Sequence, residues 1–185
     1  MIFHETGLAG AWLVELERMT DPRGFFARAF CADELRAKGI EFDAVQANLS
    51  HSDRKGTLRG MHYQAPEVNE PKFIRCVRGA VWDVIIDMRP DSPTFLQHFG
   101  VELSAENGRA IYVPNSFAHG NQALTDDAEL LYLMGGPYVR GFERGVRHDD
   151  PAVGIEWPLP VTAIHEKDME WPLLDTAASV GTHHG

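Results

Sequence analysis

Three stretches of the chain concentrate side chains that move protons or hold anions. The first is Leu58-Arg59-Gly60-Met61-His62-Tyr63-Gln64, followed by Lys72. The second runs from Pro114 to Gly120 and contains His119. The third is Glu129-Leu130-Leu131-Tyr132, with Tyr138 just beyond. Histidine titrates near neutral pH, a lysine ammonium stabilises an anion, and a tyrosine hydroxyl donates a proton. Brought together, these groups would form an acid–base set. Each alone has a plainer use, the histidine as a structural hydrogen-bonder and the tyrosine as a core or rim residue. Histidines of a small β-barrel can also bind metal, typically as a pair one residue apart. Here the position two after His62 is Gln64, and His119 has no histidine or carboxylate close in sequence. That set is short of ligands, so no catalytic metal is expected.

Three arginines suggest a different ligand chemistry. Arg23 lies in Asp21-Pro22-Arg23-Gly24-Phe25-Phe26, Arg28 follows it, and Arg59 precedes His62. Guanidinium forks suit phosphate oxygens. On a strand, Phe26, Arg28 and Phe30 would share one face. Either these groups hold an anionic ligand with a flat ring, or they make surface salt bridges. The net charge is −10, from 17 Lys+Arg against 27 Asp+Glu. This argues against general binding to nucleic acid or an anionic membrane, which needs a basic face, but leaves room for a small anion held locally.

The elements that must position these residues read as strands. Turn signals recur at Asp21-Pro22-Arg23-Gly24, Lys55-Gly56, Arg78-Gly79, Asn107-Gly108 and Gly135-Gly136-Pro137. Lys72 to Val77 and Val81 to Asp87 flank Arg78-Gly79-Ala80 and read as a hairpin. Phe95 to Leu103, Ala110 to Val113 and Glu129 to Met134 read as further strands. Many short strands with regular turns indicate a sandwich or barrel. One helix is expected over Ala32 to Lys38, closed by Gly39, and a short one around His165 to Met169. With 185 residues, 44% of them hydrophobic, the chain suits one domain with a real core. The tail after about residue 176 reads as frayed, with His183 and His184 solvated. No signal peptide or membrane span is evident, and Cys31 and Cys76 read as reduced thiols, so a cytoplasmic protein is expected. Strict alternation puts Arg59 and His62 on opposite faces of a strand. They share a pocket only if that strand is distorted, with Gly60 the natural place.

The motifs, taken in order, resemble the dTDP-4-dehydrorhamnose 3,5-epimerase family. They are Arg23-Gly24-Phe25-Phe26, Gln46-x-Asn48-x-Ser50, Gly56 to Gln64, Lys72 to Gly79, Asp83 to Arg89 with Ser92-Pro93-Thr94, Leu103 to Asn107, Phe117-Ala118-His119-Gly120 and Asp149-Asp150-Pro151. The resemblance runs from about residue 2 to about residue 175. It implies an all-β cupin jelly-roll barrel with short peripheral helices, a homodimer, no metal or organic cofactor, and a dTDP-linked 4-keto-6-deoxyhexose as substrate. It implies His62 as general base, Asp168 as its supporting carboxylate and Tyr132 as general acid, and Lys72 matches a substrate-binding position, where its charge makes it the candidate cation for an enolate oxygen. Arg23, Phe26, Arg28, Gln46, Asn48, Arg59, His119, Tyr138, Glu143 and Lys167 fall at or beside its substrate-binding positions. Three residues depart from the family pattern: Arg28 where many members have Glu, Asn121 where an aromatic often follows His-Gly, and His165 for Ser in the His165-Glu166-Lys167-Asp168 motif.

A C4 ketone acidifies the hydrogens at C3 and C5, so a base, an enolate-stabilising cation and an acid on the opposite face suffice for inversion. Other readings remain: an epimerase acting at one carbon only, a non-catalytic sugar-nucleotide binder, and a metal-dependent oxygenase on the same barrel. A binder has no need of base and acid together, and Gln64 disfavours the oxygenase.

Overall fold

The structure is a computed structural model and describes residues 1–175; the expected frayed tail, with His183 and His184, lies outside the described residues. In chain order the elements are β1 (Ile2–Glu5), β2 (Trp12–Glu15), β3 (Met19–Asp21), β4 (Gly24–Phe26), α1 (Ala32–Arg36), β5 (Gln46–Ser52), β6 (Leu58–Gln64) and β7 (Lys72–Arg78). There follow β8 (Ala80–Asp87), β9 (His98–Ser104), β10 (Ala110–Val113), β11 (Phe117–Ala123), β12 (Ala128–Met134), β13 (Glu143–Gly145) and α2 (Glu166–Met169). Among the described residues no helix is long and apolar enough to cross a membrane.

The strands form two facing antiparallel sheets. One is ordered β1-β2-β10-β7-β12-β5 and the other β13-β6-β11-β8-β9, while β3 and β4 form a separate two-stranded ribbon. This is the all-β jelly-roll barrel with short peripheral helices that the motifs imply. Alternation along each strand sends every second side chain inward. Ile74 and Cys76 of β7, Val81 and Ile85 of β8, Leu103 of β9, Ile111 and Val113 of β10, and Leu130 of β12 meet there as one apolar core. Each fully buried aliphatic side chain contributes about 1.5–3 kcal/mol. The same inward rows continue as Lys72 on β7, His119 on β11 and Tyr132 on β12, so one end of the barrel is filled and the other is lined with polar groups. Outside, α1 and the segment after it cover one sheet through Leu35, Ile40 and Phe42 against Phe73 and Tyr112. The other sheet is covered by Val146, Val153, Ile155 and Trp157 against Met61, Val84 and Ile86.

Gly39 ends α1 with φ +75, while Ile40 N–H donates to Leu35 O and Gly39 N–H to Arg36 O. This is the paired-bond stop expected of a C′ glycine, though the helix closes at Arg36 rather than Lys38. Two strand readings need correction. The expected hairpin of β7 and β8 does not form; the two strands belong to different sheets. Gly79 alone links them, too short for the two-residue turns that hairpins favour, and their apolar faces oppose one another across the core. The strand expected from Phe95 begins only at His98. Phe95 N–H and Gln97 N–H close turns onto Ser92 O and Thr94 O, and Leu96 has φ +60.

Candidate active site

The open end of the barrel holds a cavity of about 810 Å³. Its floor depends on β6, whose burial does not alternate: Arg59 and His62 are both exposed to the cavity side while Gly60 and Met61 between them are buried. Gly60 has φ +113, and the Gly60–Met61 peptide is cis. The pairing of β6 with β11 shifts register between His119 and Asn121 opposite this point. A Cβ at Gly60 would lie 2.6 Å from Gly120 Cα and 2.7 Å from His119 O. The distortion required at Gly60 is therefore present, and Arg59 and His62 line one cavity.

Asp168 reaches His62 from a segment far along the chain. Ala163 bridges to Thr57, and Leu58 N–H donates to Ala163 O at 2.8 Å, so the chain before α2 is stitched to the start of β6. His165 caps α2, its Nδ1 accepting from Lys167 N–H at 3.1 Å. Asp168 then points inward and is buried. One carboxylate oxygen lies 2.7 Å from His62 Nε2, and the other accepts from Gly60 N–H at 3.2 Å. The same carboxylate thus fixes the imidazole and the bent backbone beneath it.

A second histidine–carboxylate pair is buried in the barrel wall, with His119 Nε2 2.8 Å from Asp83 Oδ2. Burial raises the Asp83 carboxyl above the ordinary carboxylate range, against the pull of His119. Among the described residues its other oxygen, also buried, has no hydrogen-bond partner. The His119 ring packs edge-on to Tyr132, with centroids 5.7 Å apart. Asn121 Nδ2 lies 3.4 Å from the Tyr132 hydroxyl. Removal from water raises the Tyr132 phenol well above its usual value; the Asp83 charge pushes the same way and Arg59 opposes it. Tyr132 is therefore a phenol, able to donate, across the neutral range. Arg59 itself is held by β5, donating to His51 O at 2.7 Å and Ser52 Oγ at 3.2 Å.

Lys72 contributes its ammonium from the other sheet, 2.6 Å from Glu70 Oε2. Gln64, where a second metal-binding histidine would stand, instead donates to Glu70 Oε1 at 2.7 Å and accepts from Val139 N–H at 2.9 Å. Among the described residues no cluster of three or more His, Cys, Asp or Glu side chains could hold a metal ion. At the mouth, the Tyr138 hydroxyl donates to Glu143, and this bond, above all, holds the Glu143 carboxyl down at about 2.

The cavity thus gathers Asn48, Arg59, His62, Lys72, His119, Tyr132, Tyr138, Glu143, Lys167 and Asp168. Arg23, Phe26, Arg28 and Gln46 do not line it. Strand β4 ends at Phe26, so the shared face expected for Phe26, Arg28 and Phe30 does not exist. Arg23 pairs with Asp21 on the surface, Phe26 is 72% exposed, Arg28 pairs with Glu34, and Gln46 donates to Asn48 Oδ1. Within this chain Arg23 and Arg28 make surface salt bridges, whereas Arg59 faces the cavity. Sequence reasoning missed Asp83 and Glu70. An acid inside the apolar run Val81 to Ile86 was a usable signal for Asp83, because a buried carboxylate needs a partner. Glu70 carried no such mark.

The profile of the dTDP-4-dehydrorhamnose 3,5-epimerase family matches residues 5–176. A dTDP-4-dehydrorhamnose 3,5-epimerase of Salmonella typhimurium is 40% identical over 181 residues, which is 96% of this chain and 97% of that one. The crystal structure of a dTDP-4-dehydrorhamnose 3,5-epimerase from Bacillus anthracis, with TDP and PPi bound, superposes with a TM-score of 0.89 at 37% identity, covering 94% of this chain and 99% of that one. A dTDP-6-deoxy-D-glucose-3,5-epimerase from Legionella pneumophila, in complex with dTDP-4-keto-L-rhamnose, gives a TM-score of 0.87 at 35% identity, covering 96% of each chain.

Proposed function

The chain belongs to the dTDP-4-dehydrorhamnose 3,5-epimerase family, and on that premise we propose that it inverts C3 and C5 of dTDP-4-keto-6-deoxyglucose by removing and returning protons. The observation that carries this reading is the origin of the reactive groups. His62 stands on β6 of one sheet, while Tyr132 on β12 and Lys72 on β7 belong to the facing sheet, and all three line one cavity. Inversion needs a base and an acid on opposite faces of the sugar, which facing walls supply.

His62 removes the proton adjacent to the C4 ketone. The 2.7 Å contact with Asp168 fixes the imidazole and stabilises its charged form. Negative charge then gathers on the C4 oxygen as an enolate, and the Lys72 ammonium stabilises it. Tyr132 returns a proton from the other side. The raised pKa of Tyr132 supports this role, since its proton is present throughout the neutral range. His62 then releases its proton to solvent and Tyr132 recovers one from solvent, and the cycle repeats at the second carbon. The ketone is already in the substrate, so the step needs no redox cofactor, and activity is expected to survive EDTA. Loss of activity on chelation, restored by one metal ion per chain, would overturn that expectation.

Incubation with dTDP-4-keto-6-deoxyglucose in D₂O tests the proposal. Deuterium at both C3 and C5 is the expected result. Label at one carbon would mark a single-carbon epimerase, and none a binder.

We further infer a homodimer. The family resemblance assigns Arg23 and Phe26 to substrate, yet they lie away from their own chain's cavity, on a ribbon that stands apart from both sheets. Met19, Phe25 and Phe26 of this ribbon are exposed. A second copy presenting its cavity to the ribbon reconciles the two.

A further inference from the structure

Glu70 is a buried carboxylate in the cavity wall for which the proposed mechanism has no use. It lies in the loop between β6 and β7, 8% exposed. Its Oε2 is 2.6 Å from Lys72 Nζ, and its own backbone oxygen accepts from the same ammonium at 3.2 Å. The carboxylate is itself held in place. Gln64 donates to Oε1 at 2.7 Å, and Glu70 N–H donates to Asn115 Oδ1 at 3.1 Å. An ammonium has three N–H donors. Two are engaged by Glu70, and among the described residues Lys72 has no other partner, which leaves the third for the cavity.

We propose that Glu70 is a positioning residue: it clamps the Lys72 ammonium so that one N–H points at the C4 oxygen of the bound sugar. This rests on the reading of the site as an epimerase and deepens it. A lysine on a four-carbon stem is a mobile point charge, and the diphosphate of a sugar nucleotide would attract it. Pairing with Glu70 cancels its net charge, so it is a poor phosphate ligand, yet keeps a directed donor for a ketone oxygen. That donor gains strength only as the oxygen becomes an enolate, which is where stabilisation raises the rate. Gln64 extends the clamp to the mouth of the site, because its side chain also bonds Val139 N–H beside Tyr138.

The enolates formed from C3 and from C5 share the C4 oxygen. A fault in Lys72 must therefore slow proton removal at both carbons alike, which a local packing defect would not do. The experiment is Glu70→Gln, with deuterium wash-in at each carbon of dTDP-4-keto-6-deoxyglucose followed by NMR and dTDP affinity by calorimetry. The expected result is wash-in slowed about a hundredfold, the typical cost of a misplaced catalytic group, equally at C3 and C5, with dTDP affinity within about twofold of wild type. Glu70→Asp keeps the charge but withdraws it, and is expected to slow both carbons equally as well; it decides the matter if the Gln variant fails to fold. Wash-in near the wild-type rate, slowing at one carbon only, or loss of dTDP binding in parallel would overturn the role of Glu70. Absence of wash-in by the wild-type enzyme would instead overturn the epimerase reading.

Discussion

At the scale of residues, the mechanism separates into steps that single substitutions can isolate. His62→Ala is expected to abolish solvent exchange at the sugar while dTDP still binds, because the base is removed and the rest of the cavity stays. Wild-type-like turnover in that variant would remove the proposed base. Tyr132→Phe should behave differently. The base and the Lys72 cation remain, so protons still wash out, but they return from the original side. Net epimerised product should fall by two to four orders of magnitude, the usual worth of a positioned acid. If Tyr132 merely packs, KM will rise with little change in kcat. Chemistry-bearing residue types announce themselves in a sequence, and His62, Lys72 and Tyr132 do so by motif and order. Partners across the barrel do not. Asp83 and His119 lie on different strands that only the β8–β11 register brings together, and Glu70 acquires meaning only from its distance to Lys72.

At the scale of elements, β6 is where sequence logic and geometry agreed most closely. Alternation forbids Arg59 and His62 from sharing a face, and the conflict itself pointed to a break at Gly60. The substitution Gly60→Ala tests how much rests on that break. A methyl group there meets backbone at 2.6 Å under a φ of +113. Overpacking and left-handed strain together should cost at least about 2 kcal/mol in denaturant unfolding, and solvent exchange should be lost with it. A variant of unchanged stability would show that the strand tolerates a side chain. The β7–β8 corner shows the opposite case. Two apolar runs around Arg78-Gly79 look like a hairpin because periodicity reports which face is buried, not which strand lies alongside. Helix α2 was legible as an element, and its cap His165 is the departure from the family motif. His165→Ala should loosen the helix that carries Asp168 and cost about 1 kcal/mol in local stability, read as faster amide exchange over 166–169 with the barrel strands unaffected.

At the scale of the whole molecule, assembly and acid stability are the measurable properties. Light scattering should return twice the chain mass of 20.7 kDa; a monomer would sink the dimer and with it the proposed reach of Arg23 and Phe26. Acid sensitivity has a specific contributor in Asp87. Burial pushes its carboxyl up, but hydrogen bonds from Arg89, Ser92 and Thr94 outweigh this and hold it at about 2, below its unperturbed 3.8. A depressed folded value means that its stabilisation is complete above about pH 4 and is lost as pH falls through 2. Asp87→Asn should therefore lower stability at neutral pH and flatten the acid limb between those values. The order of strands has a further consequence, for the speed of folding. Within the two large sheets, only β1–β2 and β8–β9 pair strands that are consecutive in the chain; every other neighbour there is at least three strands away in sequence. The one-residue link at Gly79 removes what would have been another local pairing. Most loops must close before any sheet is rewarded, so refolding from denaturant should take milliseconds to seconds rather than microseconds, with the β8–β9 hairpin the earliest protected segment in pulsed hydrogen exchange.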